Sequence, residues 1–359
     1  MPKPDTLFPS GSLPSPMRHT VAGHPPRRTI RSGGKCDRFG EQSVNPFFPA
    51  AFWEPFLQGI FPYLCIMKRL FTIACILGLF GTASAQNELM LLTPDAKAIG
   101  MGGVTMTTLS ASHTIYNNAA APLFSGERSQ LASTYFSQDN YNYYVVSGFY
   151  NFDGRNVLEL GWRMFRRRHD DNDMTFDAGY ARRIGERWSV ALVAHYYHMK
   201  RPDRVYHALA ADVNAMYSLP LENFGYYSTL RAGARLANLG AYFNAEGMTL
   251  PMNLGAGAAL DTYITDAHEI TLAADLGYYF TPDYVRGLQA SFGVEYNLMQ
   301  LFQLRGGYHV GQKKEYYPNY ATIGAGVRFL HIKLDFAYIF AARSTALHNT
   351  YSISFGFDF

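Results

Sequence analysis

The sequence predicts an all-β chain closed into a transmembrane antiparallel β-barrel of about 14 strands. Three observations carry this reading. The chain ends in a strand with Tyr351, Ile353, Phe355, Phe357 and Phe359 on one face and Ser352, Ser354, Gly356 and Asp358 on the other. Large apolar groups on one face and small or polar ones on the other fit a strand with lipid outside and water inside. Segments of about ten alternating residues, each closed by turn residues, then recur upstream through most of the chain. No apolar run after Gln86 reaches the roughly 20 residues of a membrane helix. An edge strand of a soluble β-sandwich is the alternative for the terminal segment, but a row of exposed aromatics there would invite aggregation.

Lys68 and Arg69 form a basic region, Leu70 to Phe80 an apolar one, and Ala83-Ser84-Ala85 a small-residue cleavage site. This pattern reads as a signal peptide at 67–85, with Gln86 expected as the first mature residue. No cysteine follows the cleavage site, so it is not a lipoprotein signal. Residues 1–66 hold 11 of the 18 prolines and are basic. They read as a mis-set translation start or a disordered upstream extension, the alternative being a basic arm ahead of a signal anchor.

Removing the leader changes the charge argument. Residues 1–85 carry 9 Lys+Arg and 4 Asp+Glu out of totals of 31 and 28. The mature chain keeps 22 basic and 24 acidic residues, a formal charge of −2. The basic overall balance therefore gives no ground for a nucleic-acid partner. Cys36, Cys65 and Cys75 all precede Gln86, so the mature protein has neither disulfide nor thiolate metal site.

The expected strands are 128–136, 142–150, 157–165, 174–184, 188–198, 207–217, 228–236, 252–260, 268–278, 287–297, 301–309, 321–329, 331–340 and 350–359. Leu158, Leu160, Trp162 and Met164 alternate with Glu159, Gly161 and Arg163 in the third of them. With both termini on the periplasmic side, outward loops are long and inward turns short. Ser218–Tyr227 and Asp261–Ala267 break this alternation, being too long for simple inward turns. The last strand is expected to close against the first.

Charges in mid-strand point to a polar lumen. The lumen-facing candidates are Glu159, Arg163, Asp177, Arg231, Arg235, Asp275, Glu295, Arg305, Arg328, Lys333 and Asp335. Both signs occur in similar numbers, so the set reads as a salt-bridge network holding the inner segment or as a polar binding tunnel. Gly161, Gly233, Gly277, Gly293 and Gly306 are assigned to the same face. Arg166 to Asp173 is the densest charge run. It lacks the spacing of a calcium loop and reads as a solvated outer loop, the sharper alternative being a Ca²⁺ or lipopolysaccharide contact. His195 and His198 are three apart in a strand, hence on opposite faces and no chelating pair. Ser344 and His348 share an outward loop with no carboxylate nearby in sequence, so no catalytic group is assigned and no enzyme, metal or cofactor is expected.

Residues 86–127 do not alternate. Asp95, Ala96, Ala98, Gly100, Met101, Gly102 and Gly103, followed by a Tyr116-Asn117-Asn118-Ala119 box, resemble the N-terminal signature of FadL-like outer-membrane proteins, and within these the PorV/PorQ family of the type IX secretion system. Leu236-Ala-Asn-Leu-Gly240 and Leu250-Pro-Met-Asn-Leu-Gly255 extend the resemblance to mid-barrel. The family box usually has proline where Asn118 stands. The resemblance implies a 14-stranded outer-membrane barrel with a lumenal plug at 86–127 carrying the motif Asp95, Gly100, Gly102, Gly103 and Asn117, and a barrel at 128–359. For the PorV type it implies a non-enzymatic shuttle or accessory serving the type IX translocon, cargo C-terminal domains or surface attachment proteins. For FadL-like relatives it implies passage of hydrophobic small molecules. Other expected partners are outer-membrane lipid, lipopolysaccharide and the barrel assembly machinery, whose C-terminal signal the final aromatic resembles.

Overall fold

A computed structural model describes Leu91 and residues 93–359, except 110, 139–140, 167–171, 202–203, 223, 225, 246, 312–317 and 346. The expectations for residues 1–66 and for the signal peptide at 67–85 fall outside the described residues, as does most of the Arg166 to Asp173 charge run.

Fourteen strands form one closed antiparallel barrel: β1 Ser129–Gln138, β2 Tyr141–Asn151, β3 Asn156–Arg166, β4 Asn172–Ile184, β5 Trp188–Lys200, β6 Val205–Leu221, β7 Tyr227–Tyr242, β8 Asn253–Thr265, β9 His268–Tyr279, β10 Gly287–Leu298, β11 Phe302–Gly311, β12 Tyr320–Phe329, β13 Ile332–Ala341 and β14 Thr350–Asp358. Each pairs with its sequence neighbours, and β14 returns to β1 with Ser133 opposite Phe355. Closure leaves no sheet edge along the wall, as a bilayer without water demands.

The alternation read in the sequence becomes the two faces of this wall. Leu160, Phe176, Leu209, Val294 and Leu304 stand outside and exposed, whereas Glu159, Asp177, Asp212, Glu295 and Arg305 on the same strands are buried inside. An apolar exterior band over a polar interior is the construction of outer-membrane barrels, and the chain is an outer-membrane protein of the Gram-negative type.

The two turns that looked too long are short. β6 continues to Leu221, past Pro220, while β7 starts at Tyr227 and β8 runs to Thr265. Pro220, Asp261 and Thr262 had read as turn residues, but their neighbours across the ladder override them. In the β2–β3 turn, Asp153 accepts the backbone N–H groups of Arg155 and Asn156 at 2.9 and 2.8 Å. The Arg155 N–H leads in holding that carboxyl below its usual range.

Two β-bulges interrupt the registers. One lies in β7, where Ala237 and Asn238 stand against Asp212 alone; Asn238 has φ 58°. The other lies at Ile264 in β8. Beyond the first bulge, Leu239 to Tyr242 continue to pair with β6, whereas the β7–β8 ladder ends at Ala237 opposite Asn253. Asn238 closes this region. Its amide nitrogen donates to the Pro251 carbonyl and its oxygen accepts from Tyr197 Oη, both at 2.9 Å, while its backbone N–H donates to Asp212 at 2.7 Å. The two mid-barrel motifs of the sequence are thus one structure: a bulge and the loop residue it holds.

The described residues before β1 pack against the inner face of the wall. They form a short helix α1 (Ala96–Gly100), a 3-10 turn (Thr114–Tyr116) and a second short helix α2 (Pro122–Ser125). The main apolar cluster sits inside the barrel, where Ile115, Tyr116 and Leu123 meet Phe136, Tyr143 and Phe165 from β1–β3. Tyr143 packs edge-on against Phe136 and Phe165.

Candidate functional site: the lumen

Asp95 organises the inner segment. It caps α1, with Oδ1 accepting from Lys97 N at 2.8 Å, and its Oδ2 accepts from Asn117 Nδ2 at 3.0 Å. This contact joins the two halves of the motif, 22 residues apart. A capping aspartate satisfies helix N–H groups that otherwise lack partners. Gly102 and Gly103 follow with φ of 73° and 85°, a left-handed turn that glycine adopts without penalty.

Three wall glycines let the segment lie directly on the strands. A Cβ on Gly233 would collide with the Met106 carbonyl and one on Gly307 with the Gly102 backbone, while one on Gly293 would stand 2.5 Å from the Met101 carbonyl. The sequence assignment of Gly306 to this face is corrected: Arg305, Gly307 and His309 share the lumenal face of β11, and Gly306 shares the outer one with Leu304 and Tyr308. Two adjacent glycines hid the phase of the alternation.

All eleven lumen candidates lie on inner-face positions, and they separate into clusters. Lys97 pairs with Glu295 at 3.1 Å, Glu295 with Arg305, and Arg305 with Asp335 at 2.6 Å. Arg231 pairs with Asp261 at 2.6 Å, and Lys333 bridges Glu127 and Asp358. Arg163 lies over the Tyr116 ring, 4.1 Å from its centre, and 3.8 Å from Asp177. Glu159 accepts from Thr114 and Asp177 from Tyr116, both at 2.6 Å. Arg235 donates to the carbonyls of Tyr116 and Asn117, closing the 3-10 turn. Arg328 borders the same cavity as Asp261 and Glu269. Asp275 binds the segment most directly, its Oδ2 accepting from Thr105 N at 2.6 Å and Met106 N at 3.0 Å.

Other polar residues of the lumen lie outside the candidate set of the sequence. His195 Nδ1 lies 2.6 Å from Asp177 and its Nε2 3.2 Å from Asp212. His198, on the opposite face, stacks edge-on with His207. Asp212 and Asp261 fall on inner positions that the alternation marks, but Ala-rich and Thr-rich surroundings blurred the period. His348 Nδ1 faces the Ala341 carbonyl at 3.4 Å.

Two cavities result. The outer one, about 140 Å³, is bounded by Gly103, Thr105 and Met106 of the inner segment and by Asn253, Asp275 and Gln289 of the wall. The inner one, about 290 Å³, is bounded by Thr107, Thr108 and Leu109 and by Arg231, Asp261 and Glu295. Both touch β7–β10, and the outer one extends across the lumen to Phe136, Arg163 and Tyr320. Residues 103–109 form a strap that borders both cavities on the β7–β10 side.

No family model matches this chain, and no curated protein matches it. Solved structures of similar architecture include the CymD monoaromatic hydrocarbon channel, at 12% identity and TM-score 0.49, with 75% of this chain and 98% of that chain covered. The Pseudomonas putida toluene transporter TodX is similar at 12% identity and TM-score 0.46 over 72% of this chain and 95% of that chain. A Pseudomonas aeruginosa FadL homologue is similar at 10% identity and TM-score 0.45 over 75% of this chain and 99% of that chain. Likeness at this level concerns barrel architecture and says nothing of what this chain handles.

Proposed function

We propose that the protein is a gated outer-membrane channel that passes a small molecule along the β7–β10 side of its lumen, with residues 103–109 as the gate. The observation that supports this most is the pair of cavities bordered by one strap. Among the described residues, the strap's hydrogen bonds include Asp275 on its N–H groups, Asn118 on the Met106 carbonyl, and an internal bond from Thr108 Oγ1 to the Val104 carbonyl at 2.8 Å. Hydrogen bonds to a charged acceptor contribute about 1.5–3 kcal/mol each, so losing Asp275 shifts a closed strap markedly toward open. Asp275→Ala in proteoliposomes should raise small-solute swelling rates several-fold over wild type. Equal rates, with both proteins folded by heat-modifiable gel mobility, would remove the strap as the gate.

A second reading, service to type IX secretion in the PorV manner, is favoured by a different observation. Lys97, Glu295, Arg305 and Asp335 tie the inner segment to the wall as a buried ionic chain, and all neighbouring strand pairs are joined. A sealed barrel can act as a carrier of protein partners rather than a pore. Deletion of the gene followed by assay of surface proteins tests it; unchanged export of cargo bearing type IX C-terminal domains would sink it.

A further inference from the structure

We propose that the outer face of β4–β6 carries a binding site for a soft monovalent metal ion, Cu(I), with Met174, His198 and His207 as its ligands. The site lies on the opposite side of the wall from the lumen, so it stands independently of the channel reading.

Strand register brings the ligands together. Met164 stands opposite Met174, Met174 opposite His198, and His198 opposite His207. Four neighbouring strands thus place two thioethers and two imidazoles in one row. All four residues are half-buried and fall on the outer-face positions of their strands. Directly opposite residues are the closest neighbours across an antiparallel pair. The His198 and His207 ring centres lie 5.1 Å apart. That spacing lets one ion bond a nitrogen of each ring at about 2 Å. Met174 flanks His198 on its other side, and its flexible, unbranched side chain adapts to an ion held there. Met164 lies three strand spacings from His207, about 14 Å along the sheet, too far to share the same ion.

His207 is already oriented as a ligand. Its Nδ1 lies 2.8 Å from Tyr196 Oη, and the two rings are stacked. A ligating imidazole gives its other N–H to such a partner, which leaves Nε2 for the ion. The neighbouring rows set the depth of the site. Towards mid-wall stand Phe176, Tyr196 and Leu209, and towards the strand ends stand Arg166, Asn172 and Lys200. The row therefore lies where the apolar band gives way to polar residues, within reach of an ion from water.

The ligand types select the metal. Thioethers are soft and favour Cu(I), and imidazoles suit copper as well. Among the described residues no three His, Cys, Asp or Glu groups are placed to hold an ion, so the usual zinc sets are missing here. Asp173, next to Met174 in sequence, is 1% exposed and belongs to the inner face. The three ligands are neutral when they bind, so none offsets a second positive charge. Arg166 and Lys200 in the adjoining row repel a dication twice as strongly as a monocation. Calcium and magnesium need oxygen ligands, which the row does not offer.

Copper competition tests the assignment. The full chain, purified in detergent with its thiols alkylated, is titrated anaerobically with Cu(I) against bicinchoninate, whose coloured copper complex reports the ion left over. Wild type should withdraw one equivalent of Cu(I) more than the double variant His198→Gln with His207→Gln; taking this difference cancels copper bound elsewhere. Met174→Leu should weaken that equivalent about tenfold, and Met164→Leu by less than about threefold. X-ray absorption at the copper edge should show a sulfur neighbour that Met174→Leu removes. Zn²⁺ in about tenfold excess should leave the Cu(I) in place. The variants are compared at unchanged heat-modifiable mobility, and if the double variant does not fold, His207→Gln alone replaces it with the same expectation. Equal copper uptake by wild type and the histidine variant would reduce the row to an interfacial girdle and overturn the proposal. Unchanged affinity in Met174→Leu, or displacement by Zn²⁺, would overturn it as well.

Discussion

Asn118 donates its side-chain amide to the Met106 carbonyl at 2.8 Å and to the Ala215 carbonyl at 3.1 Å, tying the strap to both the inner segment and β6. The resembling family box has proline at this position, which offers no donor. The preceding residue, Asn117, has φ −92° and ψ −83°, a region that a following proline disfavours. The departure from the box is therefore a change of local geometry together with a gain of two hydrogen bonds.

Asn118→Ala removes those bonds and should destabilise the seated strap by about 1–3 kcal/mol. In planar bilayers the wild-type barrel should be closed or rarely open, and the variant should flicker. Asn118→Pro should flicker more, because it adds backbone strain to the same loss. A variant as quiet as wild type would show that Asn118 does not hold the strap.

Adjacent glycines in β11 give a paired test. A Cβ on Gly307 would collide with the Gly102 backbone, whereas one on Gly306 would meet nothing within 4 Å. Gly307→Ala should cost about 1–3 kcal/mol through overpacking, and Gly306→Ala should be near neutral. Limited proteolysis from the periplasmic side should cut before β1 faster in Gly307→Ala than in wild type, and at the wild-type rate in Gly306→Ala. Equal rates in the two variants would refute the close approach.

The wall was legible because its faces differ chemically. Leu158 and Leu160 against Glu159, or Ile353 and Phe355 against Ser354, state the period outright, and the strand count follows from repeating them. Where both faces carry small residues the phase vanished, as at Gly306-Gly307 and at Ala210-Ala211 beside Asp212. The limits of β6–β8 were misplaced because Pro220 and Asp261 read locally as turn residues, while pairing across the ladder is a non-local fact. Asp95 and Asn117 could be picked by resemblance but not joined, since no periodicity spans the 22 residues between them. The two cavities were invisible for the same reason: they depend on where residues 103–109 lie against glycines of β7, β10 and β11.

The β7 bulge predicts an unusual order of substitutions. Asn238 sits at φ 58°, where alanine is strained and glycine is not. Asn238→Gly loses the side-chain bonds to Tyr197 and Pro251 only; Asn238→Ala loses them and adds strain of about 1–2 kcal/mol. Unfolding midpoints by gel mobility against temperature should fall in the order wild type, Asn238→Gly, Asn238→Ala. The reverse order of the two variants would mean that the backbone conformation at this bulge is not what the substitution disturbs.

The seam between the first and last strands supplies the final test. Lys333, 3% exposed, lies 2.6 Å from Asp358 and also pairs with Glu127, while Gln130 donates to Asp358 at 2.9 Å. One ammonium thus ties β13, the end of β14 and the residue entering β1 where the barrel closes. Lys333→Met leaves two largely buried carboxylates without their cation, and removing one partner of a buried pair costs about 3–5 kcal/mol. Both carboxylates keep some contact with solvent, so the lower end of that range is expected, read as a shift of the urea midpoint in detergent. Replacing all three groups, with Glu127→Gln and Asp358→Asn added to Lys333→Met, should recover most of the loss, because the cost comes from the stranded charges. If the triple variant is no more stable than Lys333→Met alone, the lysine acts at the seam through its packing and not through its charge.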